Sequence, residues 1–327
     1  MWLCQCNICR YTSGNLSITV IALPAGSKEL QVNGIPKENK TSEVLSRYHC
    51  GNCGSALFEK SWSRGLTYLS SGALTEADGV LQIGQQIFID DTKDGGMAAW
   101  LPGVPAWAEW PGSKEANYEV MSSKQAPIAV SEAEKLVCQC QCGGVEFKLR
   151  AASKQSMHLF KLISFLLFTH APNAGSYKGE EFDRILKENR TKYLAGTCVC
   201  NDCRRAAGHE FQNWAYVPVE NLEKMDGDPM DFSIGTLKKY QHSEKADRYF
   251  CENCGATVFW HGARQKDQID VAVGLMRADS GARAEDWLAW RTHRLSGMPF
   301  ARSKFLAEAL VGGLKQWEER RHGISKE

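Results

Sequence analysis

Thirteen cysteines give this 327-residue chain its most informative chemistry, because they are clustered rather than spread along the sequence. The stretch CVCNDCRRAAGHE at 198–210 holds three of them at C-x-C-x₂-C spacing, and CQCNICR at 4–10 repeats that spacing. Clusters of this kind are typical of metal sites, and thiolates suit zinc. The predicted ligands in the two triplets are Cys4, Cys6, Cys9, Cys198, Cys200 and Cys203.

A closed zinc site needs four protein ligands, and the second half of the chain supplies such a set. A C-x-C pair followed by glycine lies far upstream of a C-x₂-C pair, and each short spacing can place two sulfurs on one ion. The preceding Cys138 is left as a spare thiol. The four predicted ligands are Cys140, Cys142, Cys251 and Cys254.

Each triplet, by contrast, leaves one zinc position without a cysteine. Three thiolates on Zn²⁺ form a negatively charged centre that acidifies a bound water poorly, so hydrolysis is disfavoured. A substrate thiol is the natural fourth ligand, and it would lose its proton on binding. The triplet at 198–203 therefore favours thiol chemistry, unless His209, His261 or an acidic side chain closes the site.

The two cysteine patterns belong to a tandem repeat. CQCNICRYTSG (4–14) aligns with CVCNDCRRAAG (198–208). Further along, RYHCGNCGSALFEK (47–60) aligns with RYFCENCGATVFWH (248–261). The match predicts two copies of one zinc-binding unit, which we call copy one and copy two.

The copies differ at their starts. Copy one has its triplet and the pair Cys50 and Cys53, which we also predict to bind zinc, but it has no upstream C-x-C pair. We therefore expect it to be N-terminally truncated and a weak or inactive partner of a complete copy two. The predicted organisation is copy one at 1–110, a polar linker at 111–135, and copy two at 136–327 with an insertion at 153–190.

The fold class follows from short runs rich in β-branched and aromatic residues, bounded by Gly, Asn or Asp. Runs such as WAYVPV (214–219) and QIDVAVGL (268–275) predict a mainly β protein. Residues 300–320 differ, because their leucines and Trp317 recur at helical spacing. We therefore predict two tandem β copies followed by a short C-terminal helix.

Charge and hydropathy exclude several classes of partner. The net charge of +1, from 39 basic and 38 acidic residues, provides no positive excess for nucleic acid or an anionic membrane. No apolar run approaches the roughly 20 residues that cross a bilayer, and the first residues do not resemble a signal peptide. We expect a cytoplasmic protein with neither a nucleic-acid nor a membrane partner.

The motifs CQCGGVEF, CVCNDCRRAAG and FCENCGATVFW resemble those of the glutathione-dependent formaldehyde-activating enzymes, which group with centromere protein V. The resemblance covers roughly residues 136–295 and, from the triplet onward, roughly 1–105. It implies an Mss4-like zinc-binding β fold, and the tandem arrangement is similar to that of fungal members. It also implies a structural zinc ion at the four-cysteine set and a catalytic zinc ion at Cys198, Cys200 and Cys203.

The resemblance implies carbon–sulfur lyase activity on glutathione–aldehyde adducts, such as the formation of S-hydroxymethylglutathione. Arg204 and Arg205 follow the triplet and are candidates to bind the glutathione carboxylates, although arginines also serve surface solubility. Two alternatives are a non-catalytic zinc-binding interaction module and a zinc-stabilised pseudoenzyme. An open fourth position at the triplet would favour the enzyme.

Overall fold

The computed structural model describes residues 1–24, 26–27, 30–32, 36–75, 81–122, 129–153, 191–263 and 266–321. Nearly all of the insertion predicted at 153–190 lies outside these residues. Within them the protein is mainly β, with two seven-stranded sheets and one three-stranded sheet.

The first sheet belongs to copy one. Its strands are β1 (Trp2–Cys4), β2 (Ile18–Ala22), β3 (Lys37–Ser42), β4 (Leu45–His49), β5 (Ala56–Ser61), β6 (Leu66–Ser70) and β7 (Gln85–Ile87). They lie in the order β3-β4-β5-β6-β2-β1-β7. All neighbours are antiparallel except the parallel pair β1 and β7. The order places β1, whose last residue is the first cysteine of the triplet, next to the edge strand β7.

Copy two repeats this sheet strand for strand. A small sheet comes first, from β8 (Lys135–Gln139), β9 (Glu146–Arg150) and the later β12 (Leu222–Glu223). The seven-stranded sheet contains β10 (Tyr193–Cys198), β11 (Gln212–Pro218), β13 (Leu237–Ser243), β14 (Ala246–Cys251), β15 (Thr257–Gly262), β16 (Gln268–Ala272) and β17 (Leu288–Trp290). Its order, β13-β14-β15-β16-β11-β10-β17, matches that of copy one and confirms the predicted tandem β fold.

Two of the helices begin at the triplets. The four described α-helices are α1 (Asn7–Ser13), α2 (Tyr118–Ser122), α3 (Asn201–Ala207) and α4 (Lys304–Arg321). Helices α1 and α3 occupy equivalent places, and α4 confirms the predicted C-terminal helix. Its Trp317 packs against Trp100 of copy one with 5.8 Å between ring centroids, so the helix joins the two copies.

The two copies pack against each other through equivalent surfaces. The backbone N–H of Gly72 donates to the carbonyl of Gly208 at 3.0 Å, and the N–H of Gly274 donates to the carbonyl of Gly14 at 3.1 Å. Gly14 is the counterpart of Gly208 in the aligned triplets, so these two bonds are reciprocal. Reciprocal contacts between equivalent patches define an approximate twofold relationship within one chain.

The approach of the copies is close enough to require glycine. Gly14 ends α1 and Gly208 ends α3, each in the left-handed conformation, with φ of 74° and 75°. A Cβ atom at Gly14 would lie 2.0 Å from the carbonyl oxygen of Thr257, and one at Gly208 would lie 2.2 Å from that of Ala56. Both glycines therefore serve the helix end and the contact between the copies.

The largest buried apolar cluster of the described residues also crosses between the copies. It includes Leu3 and Trp100 of copy one together with Trp214 and Phe259 of copy two. The copies therefore share one core, and the free energy of burial couples their stabilities. Across the same part of the chain, no helix has both the length and the apolar character needed to cross a bilayer.

Candidate metal centres

The four-cysteine set predicted in copy two is brought together by the fold. The turn between β8 and β9 carries the first pair; of the second pair, Cys251 ends β14 and Cys254 lies in the turn that follows. The sulfur of Cys142 lies 3.6 Å from that of Cys140 and 3.5 Å from that of Cys251, and all four sulfurs, with Cys254, lie within 4.8 Å of one another. A tetrahedral Zn²⁺ with Zn–S bonds of about 2.3 Å places its sulfurs about 3.8 Å apart.

Hydrogen bonds to the sulfurs support the same interpretation. The backbone N–H of Val145 donates to Cys140 Sγ at 3.3 Å, and that of Gly144 donates to Cys142 Sγ at 3.4 Å. Donors aimed at a sulfur stabilise its thiolate form, which is the form that ligates zinc. This donor set therefore fits a closed structural zinc ion, with the thiols free and not joined as disulfides.

Both triplets also converge. Cys4 and Cys9 have their sulfurs 3.4 Å apart, Cys198 and Cys200 have theirs 3.5 Å apart, and each triplet lies within 4.8 Å. In each triplet the first cysteine ends a strand, the middle cysteine is the N-cap of α1 or α3, and the third lies in the first turn of that helix. Cys200 Sγ, for example, accepts the backbone N–H of Cys203 at 3.4 Å. Each donor set fits three of the four zinc positions.

The two histidines that might have closed the copy-two triplet each make a contact elsewhere, although Nε2 of the buried His209 has no hydrogen-bond partner among the described residues. His209 Nδ1 accepts the backbone N–H of Thr19 at 3.2 Å, and His261 Nε2 lies 3.2 Å from the carbonyl of Lys266. In the described ranges, no Cys, His, Asp or Glu joins either triplet as a fourth ligand. Among the described residues, each triplet therefore has three candidate ligands and no fourth.

The remaining cysteines do not form a comparable group. Cys50 and Cys53 have no third such ligand nearby among the residues described. Cys138 is fully buried on β8, where its backbone forms a β-bridge with Met276. It does not group with Cys50 and Cys53 as a third ligand. Zinc at Cys50 and Cys53 stays a prediction.

An arginine accompanies each triplet and was not assigned a role from the sequence. Arg47 Nη2 lies 3.3 Å from Cys9 Sγ, and Arg248 Nη2 lies 3.6 Å from Cys203 Sγ. The two arginines begin the repeated Arg-Tyr of RYHC and RYFC, on β4 and β14. The recurrence of this arginine three residues before each C-x₂-C pair is the sequence signal that could have identified it as part of the site.

The surroundings of the two arginines differ. In copy one, Arg47 Nε pairs with Glu59 at 2.9 Å, and Glu59 lies opposite Arg47 on the neighbouring strand. In copy two, Trp260 occupies the place of this glutamate opposite Arg248. The Nε and Nη1 groups of Arg248 have no hydrogen-bond partner in the part of the chain described, although its side chain is only 4% exposed. A buried guanidinium with unused N–H groups is suited to bind a ligand oxygen.

Copy two carries its carboxyl group one strand away. Asp270 on β16 lies opposite Trp260, in the place that Tyr68 has opposite Glu59 in copy one. Burial, together with the charge of the Cys203 thiolate, raises the pKa of Asp270 to about 8. The carboxyl group and the aromatic ring have thus exchanged strands between the copies.

A cavity of about 210 Å³ adjoins the triplet of copy one. The three cysteines and the Arg47–Glu59 pair form part of its wall. Most of the rest is apolar, including Trp2, Ile8, Ile18, Val20, Val44, Phe88 and Trp110. Copy one therefore has an intact triplet beside a partly open cavity that could hold a ligand.

The two arginines proposed from the sequence as glutathione contacts have different environments. Arg204 is 1% exposed, and its Nη1 donates to the carbonyl of Gly72 and, at 2.8 Å, to that of Leu74. Arg204 therefore joins the two copies, and we do not carry it further as a substrate contact. Arg205 is exposed, and its role stays a prediction.

These features define a class: a tandem β protein whose described residues contain one four-cysteine and two three-cysteine groups that could each hold a metal ion. The sequence model of the glutathione-dependent formaldehyde-activating enzyme family matches residues 1–91 and 186–290, more than half of the chain. The chain belongs to this family, as its motifs predicted. A comparison with curated proteins gives no significant match.

Proposed function

We propose that the protein is a zinc-dependent carbon–sulfur lyase that makes or breaks the adduct of glutathione with formaldehyde or a related small aldehyde. Copy two would carry the reaction at Cys198, Cys200 and Cys203. The observation that carries the proposal is Arg248, which lies against Cys203 with two buried N–H groups unused. Family membership supports the same chemistry.

The three cysteines would hold the ion and leave one position for the substrate sulfur. When bound, zinc supplies a Lewis acid that keeps a coordinated thiol in its thiolate form. In adduct formation the thiol loses its proton, its sulfur bonds to the carbonyl carbon, the π electrons of the C=O bond move onto the oxygen, and that oxygen takes up one proton in place of the one that the thiol lost. Cleavage of the adduct reverses these changes.

Arg248 is the residue placed to act on the oxygen. Its free N–H groups lie on the side chain that already reaches Cys203, so an oxygen one bond from the reacting carbon is within its range. A charged donor in a buried site stabilises developing negative charge on oxygen more strongly than water does. In copy one the equivalent Arg47 is neutralised by Glu59, which makes it a poorer oxyanion partner.

The test compares two matched substitutions, Arg248→Lys and Arg47→Lys. Each keeps the positive charge but removes the forked donor geometry. We expect Arg248→Lys to lower kcat/KM for S-hydroxymethylglutathione by about 10- to 100-fold, the loss typical of one charge-assisted hydrogen bond. Arg47→Lys should retain most of the activity, and zinc content should be the same in both.

Two results would contradict the proposal. Equal effects of the two substitutions would remove the special role of copy two. No acceleration by the wild-type protein, with zinc bound and the fold intact, would favour the non-catalytic interaction module or the pseudoenzyme.

A further inference from the structure

The mouth of the cavity beside the copy-one triplet is unusually apolar. Ile8, Val44 and Trp110 are 39%, 49% and 39% exposed, and all three line this cavity. Single exposed apolar residues are common on protein surfaces, but several grouped around one concave site indicate a ligand. The cavity therefore has the character of a binding site for an apolar group.

Two of these positions, those of Ile8 and Val44, carry charged residues in copy two. Asp202 replaces Ile8 in the aligned triplets. Lys245 replaces Val44, because the hairpins of the two copies have the same register up to their arginines. The fold therefore accepts a charge at either position, and its absence from copy one is a property of that site.

The residues paired with the first cysteine of each triplet are likewise apolar in copy one and polar in copy two. Ile18 on β2 and Ile87 on β7 pair with the first cysteine of the copy-one triplet. The first cysteine of the copy-two triplet pairs instead with Gln212 and Ser296. Copy one thus presents hydrocarbon where copy two presents hydrogen-bonding groups.

The volume of the cavity and the charges of its lining residues limit the kind of ligand that it can bind. A space of about 210 Å³ exceeds the roughly 150 Å³ apolar cavity that accepts benzene in another protein. Of the two cations in the cavity lining, Arg47, which lies against the triplet, is already paired with Glu59. Arg64 lies at the exposed edge, 3.9 Å above the ring of Trp110.

We propose that copy one is a second ligand site, selective for a thiol or thiol adduct whose carbon substituent is aromatic or branched and about benzyl-sized. The sulfur would meet the open position at Cys4, Cys6 and Cys9, and the substituent would fill the apolar cavity. The sulfur half rests on the proposed function, whereas the apolar half rests on the cavity alone.

The experiment is isothermal titration calorimetry of the full zinc-loaded chain with benzyl mercaptan, 2-mercaptoethanol and benzyl alcohol. Two variants place the copy-two residue in copy one: Ile8→Asp and Val44→Lys. They add charges of opposite sign, so a shared effect reports lost apolar surface and not an electrostatic effect on the metal. Met225→Asp is the control. Met225 is 38% exposed, an exposed fraction similar to that of Ile8, but it does not line the cavity.

We expect one tight benzyl mercaptan site, at copy one, with a Kd at least tenfold below that of 2-mercaptoethanol, and weaker thiol binding at the copy-two triplet. Each copy-one variant should weaken benzyl mercaptan by about tenfold, or about 1.4 kcal/mol, with Met225→Asp and the zinc content unchanged. Benzyl mercaptan binding that is no tighter than that of 2-mercaptoethanol, or is unaffected in both variants, would overturn the inference.

Two further outcomes separate this inference from its alternatives. If benzyl alcohol and benzyl mercaptan bind equally, and both weaken in the variants, the apolar half stands and the sulfur contact at Cys4, Cys6 and Cys9 fails, whereas the proposed function at copy two is decided by its own assay. If the wild-type chain dimerises and both variants abolish the dimer, a second copy covers the mouth, and the inference is overturned.

Discussion

Asn15 and His209 occupy equivalent positions in the two copies, and each accepts a backbone hydrogen bond from the other copy. Asn15 Oδ1 accepts the N–H of Asn213 at 3.1 Å, and His209 Nδ1 accepts the N–H of Thr19 at 3.2 Å. Each follows the glycine that ends α1 or α3. The contact is therefore reciprocal in position but differs in chemistry, because only the histidine can titrate.

The first prediction concerns acid stability. Burial lowers the pKa of His209 from 6.5 to about 4, and protonation of Nδ1 would also break its bond to Thr19. The unfolded chain takes up this proton below pH 6.5, whereas the folded chain resists it down to about pH 4. The free energy of unfolding should therefore fall across that window by about 3 kcal/mol from this group.

His209→Asn is the matched variant, because asparagine already serves at the equivalent position. Its Oδ1 can accept the Thr19 N–H and does not titrate. Denaturant unfolding at pH 7 and pH 4.5 should show a smaller acid loss in the variant than in the wild type. An identical acid loss in both proteins would mean that His209 titrates normally and that the contact is open to solvent.

The second prediction concerns the approach of the copies. Gly14→Ala should destabilise the protein by at least about 3 kcal/mol, through a left-handed backbone and a clash with a backbone carbonyl. Gly65→Ala is the control, since Gly65 also has a positive φ, 60°, but has open space around it. The control should cost only about 1 kcal/mol. Similar losses of unfolding free energy in both variants would show that the copies can separate without cost.

The sequence predicted the repeated β unit because its cysteines and hairpins recur in the same order. The relation between the copies could not be predicted, because it depends on contacts such as Gly72 with Gly208, far apart in the chain. Arg204 illustrates the consequence. Beside a triplet it looked like a substrate contact, and only the packed partner copy supplies the carbonyls that it binds.

The metal ligands were easier to predict than the substrate contacts. Short cysteine spacings fix which sulfurs can share an ion, and the fold brought the four-cysteine set and both triplets together. The difference between the two triplets lies in strand pairing. The aligned motifs show Trp260 in place of Glu59, but only the strand pairing reveals that Glu59 lies opposite Arg47 and that Asp270 of copy two lies one strand further away.

A third prediction separates the two kinds of metal site. Cys254→Ser should unfold copy two or lower Tm sharply, because a closed zinc site contributes its binding energy directly to folding. Cys203→Ser should lose less stability, since its triplet is joined to fewer segments of the chain. Metal analysis with thermal unfolding tests this. If the two variants melt at the same temperature, the distinction between structural and open sites is wrong.

The central claim is that the open triplet of copy two carries thiol–aldehyde chemistry. The most direct measurement is ¹³C exchange spectroscopy of glutathione, formaldehyde and S-hydroxymethylglutathione at equilibrium, with wild type, Cys200→Ser and Cys6→Ser. The account predicts faster exchange with wild type than in buffer, loss of that gain in Cys200→Ser, and its retention in Cys6→Ser. Exchange at the buffer rate with zinc-loaded wild type, or loss in Cys6→Ser alone, would contradict it.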